Sequence, residues 1–163
     1  MYKVFLTMGI IAMAVVLSAC TSPAEKVAET AVEQSTNGEA DVDFDNDTVT
    51  INTNGATFQA GESVSLPDGF PTDVHVADGT ITAATTVDEN NGYSVSIQTD
   101  VPVSQLKGEY ESAMADDGWN VLASLDMGDT VSMSGEKDNR MMTVGISEAD
   151  GITIIILTTG DSE

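Results

Sequence analysis

The chain has 163 residues, a length that fits one domain, and a formal net charge of −22 from 27 acidic and five basic side chains. That balance excludes nucleic-acid binding, because no basic patch can be assembled to neutralise phosphates, and it excludes electrostatic adsorption to anionic lipid for the same reason. It favours solubility while making the compact state repel itself, a repulsion that salt screens.

Met1-Tyr2-Lys3 opens the chain with positive charge, and Val4 to Leu17 is an uncharged, mostly apolar run of fourteen residues. As a helix the run would reach about 21 Å, short of a hydrocarbon core about 30 Å thick, so it reads as a signal-peptide segment rather than a span. It ends in Leu17-Ser18-Ala19-Cys20, which holds the only cysteine. This tetrapeptide resembles the lipobox of bacterial lipoproteins, where a large aliphatic residue and two small ones precede the cysteine. The resemblance implies diacylglyceryl transfer to the Cys20 sulfur and cleavage before Cys20, with residues 1–19 removed as a signal peptide. Two or three acyl chains would then anchor the protein stably in a lipid bilayer. The residue after the cysteine is Thr21 rather than Asp. By analogy with Gram-negative lipoproteins this favours the outer membrane, where the organism has one, with the domain facing the periplasm or the exterior.

Residues 20–41 are rich in Ser, Thr, Ala, Glu, Asn and Gly, with Val27 and Val32 as the only large apolar side chains. That composition cannot offset its ordering entropy and is expected to form a flexible tether. Residues 42–160 are expected to form a single acidic domain. FDNDTVTINTNGATFQA predicts a hairpin with Val49 and Ile51 on one face and Asn54-Gly55 at the turn. A proline-punctuated loop, SLPDGFPTDVHV, leads to two further strands, in which Tyr93, Val95 and Ile97 alternate with Ser94, Ser96 and Gln98. In PVSQLKGEYESAMADDGW the period changes, and Val103, Leu106, Tyr110, Ala113 and Met114 fall at helical spacing. This predicts one main amphipathic helix over about 102–117, with Pro102 in its first turn and Gly118 at its C-terminal cap. WNVLASL, TVSMSGE, RMMTVGIS and ITIIILTT then predict closing strands. The last is apolar on both faces, which suggests a central strand covered on both sides. The expected order is hairpin-β-β-α-β-β-β-β, a two-layer α+β domain with an antiparallel sheet and the helix packed on one face. The layout is similar to that of small bacterial lipoproteins and secreted domains.

Candidate chemistry is sparse. His75 is the only histidine, flanked by Asp73 and Asp78, and reads as exposed or locally hydrogen-bonded. Lipidation consumes Cys20, and no Cys/His zinc spacing exists. Ser104 and Lys107 form S-x-x-K at a helix start, an arrangement that resembles the nucleophile motif of penicillin-binding proteins and serine β-lactamases. The companion S-D-N and K-T-G motifs are missing, so Ser104 is expected to cap the helix and Lys107 to be solvated. Asp41, Asp43, Asp45 and Asp47 form D-x-D-x-D-x-D, a candidate Ca2+ run that lacks the glycine and glutamate of an EF-hand loop and reads equally as a solvated edge strand. Met114, Met127, Met133, Met141 and Met142 fit core filling better than thioether ligation of copper(I), and Trp119 fits a core anchor. Beyond the covalent lipid and that Ca2+ candidate, no cofactor is expected.

These observations favour a membrane-anchored envelope lipoprotein acting as a non-enzymatic binding module for an envelope protein or small ligand. A divalent-cation-responsive structural surface protein is the alternative reading, and an enzyme is the third.

Overall fold

A computed structural model describes residues 40–45 and 47–162. The signal peptide expected over 1–19, the lipid-attachment residue Cys20 and the tether up to residue 39 lie outside the described residues.

Period-two alternation produces nine strands: β1 (Ala40–Asp45), β2 (Thr48–Thr53), β3 (Ala56–Gly61), β4 (Thr80–Val87), β5 (Gly92–Thr99), β6 (Asn120–Asp126), β7 (Thr130–Lys137), β8 (Arg140–Ala149) and β9 (Ile152–Asp161). Among the described residues one α-helix, α1 (Val103–Asp116), connects β5 to β6. The strands form a single antiparallel sheet in the order β1-β2-β3-β4-β5-β9-β8-β7-β6. Two meanders, β1 to β5 and β6 to β9, therefore meet where β9 pairs with β5, and Val95 lies opposite Leu157 there. The β7–β8 and β8–β9 turns place Asp138-Asn139 and Asp150-Gly151 at positive φ, the geometry of two-residue hairpin turns that match strand twist.

Helix α1 carries its buried side chains, Val103, Leu106, Tyr110 and Met114, on one stripe. Its N-cap is Pro102, in extended conformation and with no side-chain capping bond. Ser104, expected to cap the helix, is instead exposed within the first turn. At the other end Gly118, at φ +78°, lets the chain reverse so that the Trp119 N–H donates to the Met114 carbonyl at 2.8 Å. The helix contacts β6, β7 and β8. Its stripe meets Val95, Ile97, Met133, Val144 and Leu157, all essentially free of solvent. Phe70, Val74 and Ala77 from the loop between β3 and β4 complete this core on the same side of the sheet.

The expected two-layer α+β class is overturned: of the described residues 57% are strand and 14% helix, so the fold is dominated by its sheet. The reason is geometric. A 14-residue helix is about 21 Å long, whereas nine strands at about 4.8 Å spacing extend about 38 Å. Helix α1 therefore covers one half of the sheet, and β1 to β4 extend beyond it. An additional strand, β1, accounts for part of the excess, because Val42 and Phe44 alternate with Asp41, Asp43 and Asp45 and pair with β2. The expectation for β9 also needs correction. It is central, but only its inner positions are covered, since α1 and the β3–β4 loop both lie on one side. The far edge strand, β6, is exposed along its length and is kinked by a register shift between Val121 and Ala123 that disrupts its pairing edge.

Candidate functional site

The strand registers assign every side chain to one of two sheet faces. On the face away from α1, β9 contributes Ile152, Ile154, Ile156 and Thr158, β8 contributes Met141, Thr143, Gly145 and Ser147, and β5 contributes Ser94, Ser96 and Gln98. Beyond them stand Ser132 and Ser134 of β7, Leu125 of β6, Ala83 and Thr85 of β4, and Phe58 of β3. Ile154 is 42% exposed, Ile156 53% and Leu125 55%. Glu136 is the one ionisable side chain among the outward strand positions of the described residues, and it is hydrogen-bonded by Asn120 Nδ2 at 3.0 Å. In a chain of net charge −22, this is a sharp partition of charge.

The face has relief. Ile152, Ile154 and Ile156 form a ridge along the central strand, and small side chains flank it. Ile156 stands between Gly145 and Ser96, with Ser132 and Ala83 one strand further out. A Cβ added at Gly145 would meet nothing nearer than the Ile156 carbonyl oxygen at 3.9 Å, so no internal contact demands glycine there. A glycine in a strand interior weakens the strand, and it is found where another group approaches the backbone closely. Shallow concavities close the ridge at each end. One, of about 290 Å³, is lined by Ser94, Met141, Thr143 and Thr158, and the other, of about 760 Å³, by Thr80, Gln98, Ile152 and acidic rim residues including Asp78 and Asp100. Ser94 and Thr158 hydroxyls lie 3.4 Å apart across the strand pair.

The opposite side carries the ionic chemistry. Asp73 of the β3–β4 loop accepts from Arg140 Nη1 at 3.0 Å, from Arg140 Nη2 at 2.5 Å and from Lys137 Nζ at 2.6 Å. The paired cations hold the Asp73 carboxyl well below the usual carboxylate range, the Arg140 hydrogen bonds contributing most. Arg140 also lies over the Trp119 ring at 5.2 Å, and Trp119 Nε1 donates to the Asp73 carbonyl at 2.8 Å. This cluster latches the loop to the β7–β8 hairpin. Its partners are more than sixty residues apart in sequence, so no local pattern announces them.

The other residues singled out in the sequence are accounted for individually. His75 Nε2 lies 2.6 Å from Glu109 Oε1, and its ring meets Tyr110 edge-on at 5.2 Å. Tyr110 is buried, and burial pushes its phenol up to about 12. Lys107 does not serve Ser104 but pairs with Asp126 at 2.9 Å, which raises the ammonium and lowers the carboxyl. Asp41, Asp43 and Asp45 share one face of β1, and Asp47 sits in the following turn at φ 66°. Among the described residues no three His, Cys, Asp or Glu side chains converge as a metal site. Met114, Met133 and Met142 are buried and packed in the core, whereas Met127 and Met141 are exposed. Trp119 is buried in that core. The alternation of Tyr93, Val95 and Ile97 with Ser94, Ser96 and Gln98 marks a sheet with one buried face, but the sequence did not show which segments build its open side. The signal available was the Ser/Thr alternation in β5 and β7, which marks an uncovered face, but assigning β9 to that same face requires the register.

Residues 81–152 match the START domain-like family. The matched stretch runs from β4 through α1 to the start of β9, and so spans the helix and the strands it packs on. No curated protein and no solved structure matches the chain. The match is compatible with a ligand-binding, non-enzymatic module.

Proposed function

We propose that this chain is a lipid-anchored, non-enzymatic binding module of the cell envelope whose binding surface is the open sheet face. The ligand class is uncharged and apolar. The observation that carries this reading is the exposed isoleucine ridge of β9 on a face with one ionisable side chain, in a chain of net charge −22. Exposed contiguous apolar surface flanked by polar groups marks interaction sites. The START domain-like match supports ligand binding rather than catalysis, and the resemblance of Leu17–Cys20 to a lipobox supports the anchor. The side under α1 is an unsuitable alternative, because Leu106, Tyr110, Met133 and Leu157 fill it.

The neutral solvatochromic dye Nile red tests this reading without an electrostatic bias. Its fluorescence is expected to rise on binding, and Ile154→Thr with Ile156→Thr, which keeps both β-branched side chains and adds no charge, is expected to weaken binding at least tenfold. Equal dye binding by the folded double variant refutes the assignment of the site.

A further inference from the structure

We infer that the resting occupant of the open face is a second copy of this chain, packed face to face, and that ionic strength sets how often it is there. The inference rests on the binding-face reading above and names the partner for the same surface. Three observations carry it.

The first is charge. Two copies of a molecule with net charge −22 repel at every approach, and the repulsion is smallest where the meeting surfaces carry no carboxylates. Among the described sheet surfaces the open face comes nearest to this: Glu136 is its one ionisable outward strand residue, and Glu62, Asp78, Asp100 and Asp161 stand only at the concavities that end the ridge. The second is relief. A symmetric pair needs a surface that complements itself. Here the Ile154–Ile156 ridge is flanked by troughs floored by Gly145 and Ser132 on one side and by Ser96 and Ala83 on the other. When two twisted sheets stack, the ridge of each copy can lie in a trough of the other. Gly145, which no internal contact explains, is where the opposing isoleucine would approach the backbone. The third is size. Strands β4, β5, β9, β8 and β7 are eight to ten residues long. At about 3.3 Å per residue and about 4.8 Å per strand they present roughly 600–700 Å² per copy, close to the roughly 800 Å² per partner of a standard interface.

Such an interface has an unusual salt response. Ion-paired interfaces weaken as salt is added, whereas here added salt only screens repulsion, with the Debye length falling from about 30 Å at 0.01 M to about 3 Å at 1 M. Self-association and apolar ligand compete for the same isoleucines, so dimerisation also regulates the site.

The test is sedimentation velocity on the chain from residue 20 onward, carrying Cys20→Ser so that no acyl group confounds association, at 5–500 μM in 0.02, 0.15 and 1 M NaCl. The expected result is a monomer–dimer equilibrium that tightens at least tenfold from lowest to highest salt. Ile154→Thr/Ile156→Thr is expected to abolish it, and Gly145→Ala, whose added Cβ enters the trough and meets nothing nearer than 3.9 Å within the chain, to weaken it at least tenfold. Met127→Thr, the loss of an exposed apolar side chain in the β6–β7 turn, is expected to leave it unchanged. Association that weakens with salt, or that survives both face variants, overturns the inference. A monomer at every salt and concentration also overturns it. If Nile red binding is then still lost in the double isoleucine variant, the binding face stands and only the partner is wrong. If dye binding is unaffected too, both readings fall.

Discussion

Replacing Asp73 by Asn removes the negative centre of the latch while keeping the side chain's shape. In the native protein its carboxylate receives a two-pronged contact from Arg140 and a third from Lys137, with roughly a quarter of each side chain exposed. Breaking a buried pair costs about 3–5 kcal/mol, and an exposed one contributes about 0–1 kcal/mol. This cluster lies between those limits. Asp138 and Asp161 also act on Arg140 and would partly compensate it, so the expected loss is about 2–3 kcal/mol at pH 7. Urea unfolding measures it, and a double-mutant cycle with Arg140→Gln isolates the coupled part. The pH dependence gives a second reading. The folded carboxyl titrates below its unfolded value of about 3.9, so its contribution is complete above that pH and fades as pH falls toward the folded value. The stability gap between wild type and variant is therefore expected to be constant from pH 7 to about 5 and to shrink between about pH 4 and 2. The Arg140 guanidinium, raised further by Asp73, stays charged throughout, and taking the difference cancels the general change in net charge. A loss below about 0.5 kcal/mol at pH 7, or a gap that does not shrink in acid, refutes the latch.

At the alkaline end, Tyr110 titrates near 12 when folded and about 10 when unfolded, so its neutral form stabilises the fold below about pH 10 and that contribution is lost as pH rises toward 12. Tyr110→Phe should remove this alkaline limb, seen as a flatter dependence of the urea midpoint on pH from 9.5 to 11.5. Thr159 is 2% exposed and its hydroxyl has no partner among the described residues. Thr159→Val should be neutral or stabilise by up to about 1 kcal/mol in urea unfolding, whereas a loss above 1 kcal/mol would show that the hydroxyl is satisfied. Asp41, Asp43 and Asp45 share one face of β1 and Asp47 sits in the following turn, and among the described residues no three His, Cys, Asp or Glu side chains converge as a metal site. Calcium chloride should therefore raise the melting temperature no more than sodium chloride at matched ionic strength, and an excess removed by Asp43→Asn would support the cation reading. Cys20→Ser should abolish metabolic labelling with palmitate, and persistent labelling would refute the anchor.

The helical spacing of Val103, Leu106, Tyr110 and Met114 and the alternation of Tyr93, Val95 and Ile97 are local signals, and the structure has a helix and a strand there. Sheet size and facing are not local. Counting segments could not show that β9 would insert between β5 and β8, joining two meanders into nine strands that one helix cannot cover. The apolar run Ile154 to Leu157 was misread for the same reason. Its inner members, Ile155 and Leu157, are buried under α1, while Ile154 and Ile156 are open, a difference set by the sheet's neighbours rather than by the run itself. The Asp73 latch was equally hidden, because Lys137 and Arg140 approach it only after the loop folds back across the sheet. With one histidine and one cysteine, the sequence offers few of the side chains that usually carry catalysis.

The distribution of carboxylates narrows what the open face can meet. A surface exposed only to water gains solubility from charge, and this chain has charge in excess, yet among its described outward strand positions Glu136 alone is ionisable. An anionic bilayer is a poor occupant, because the acidic rim that includes Asp78 and Asp100 would be pushed from its headgroups before the isoleucines reached the acyl region. A basic partner would be drawn to the acidic turns and to the exposed face of β1 that carries Asp41, Asp43 and Asp45, away from the isoleucine ridge. What remains is a neutral, apolar surface with enough relief to fit a ridge beside a trough. An apolar ligand has the first property, and a second copy of this face has both.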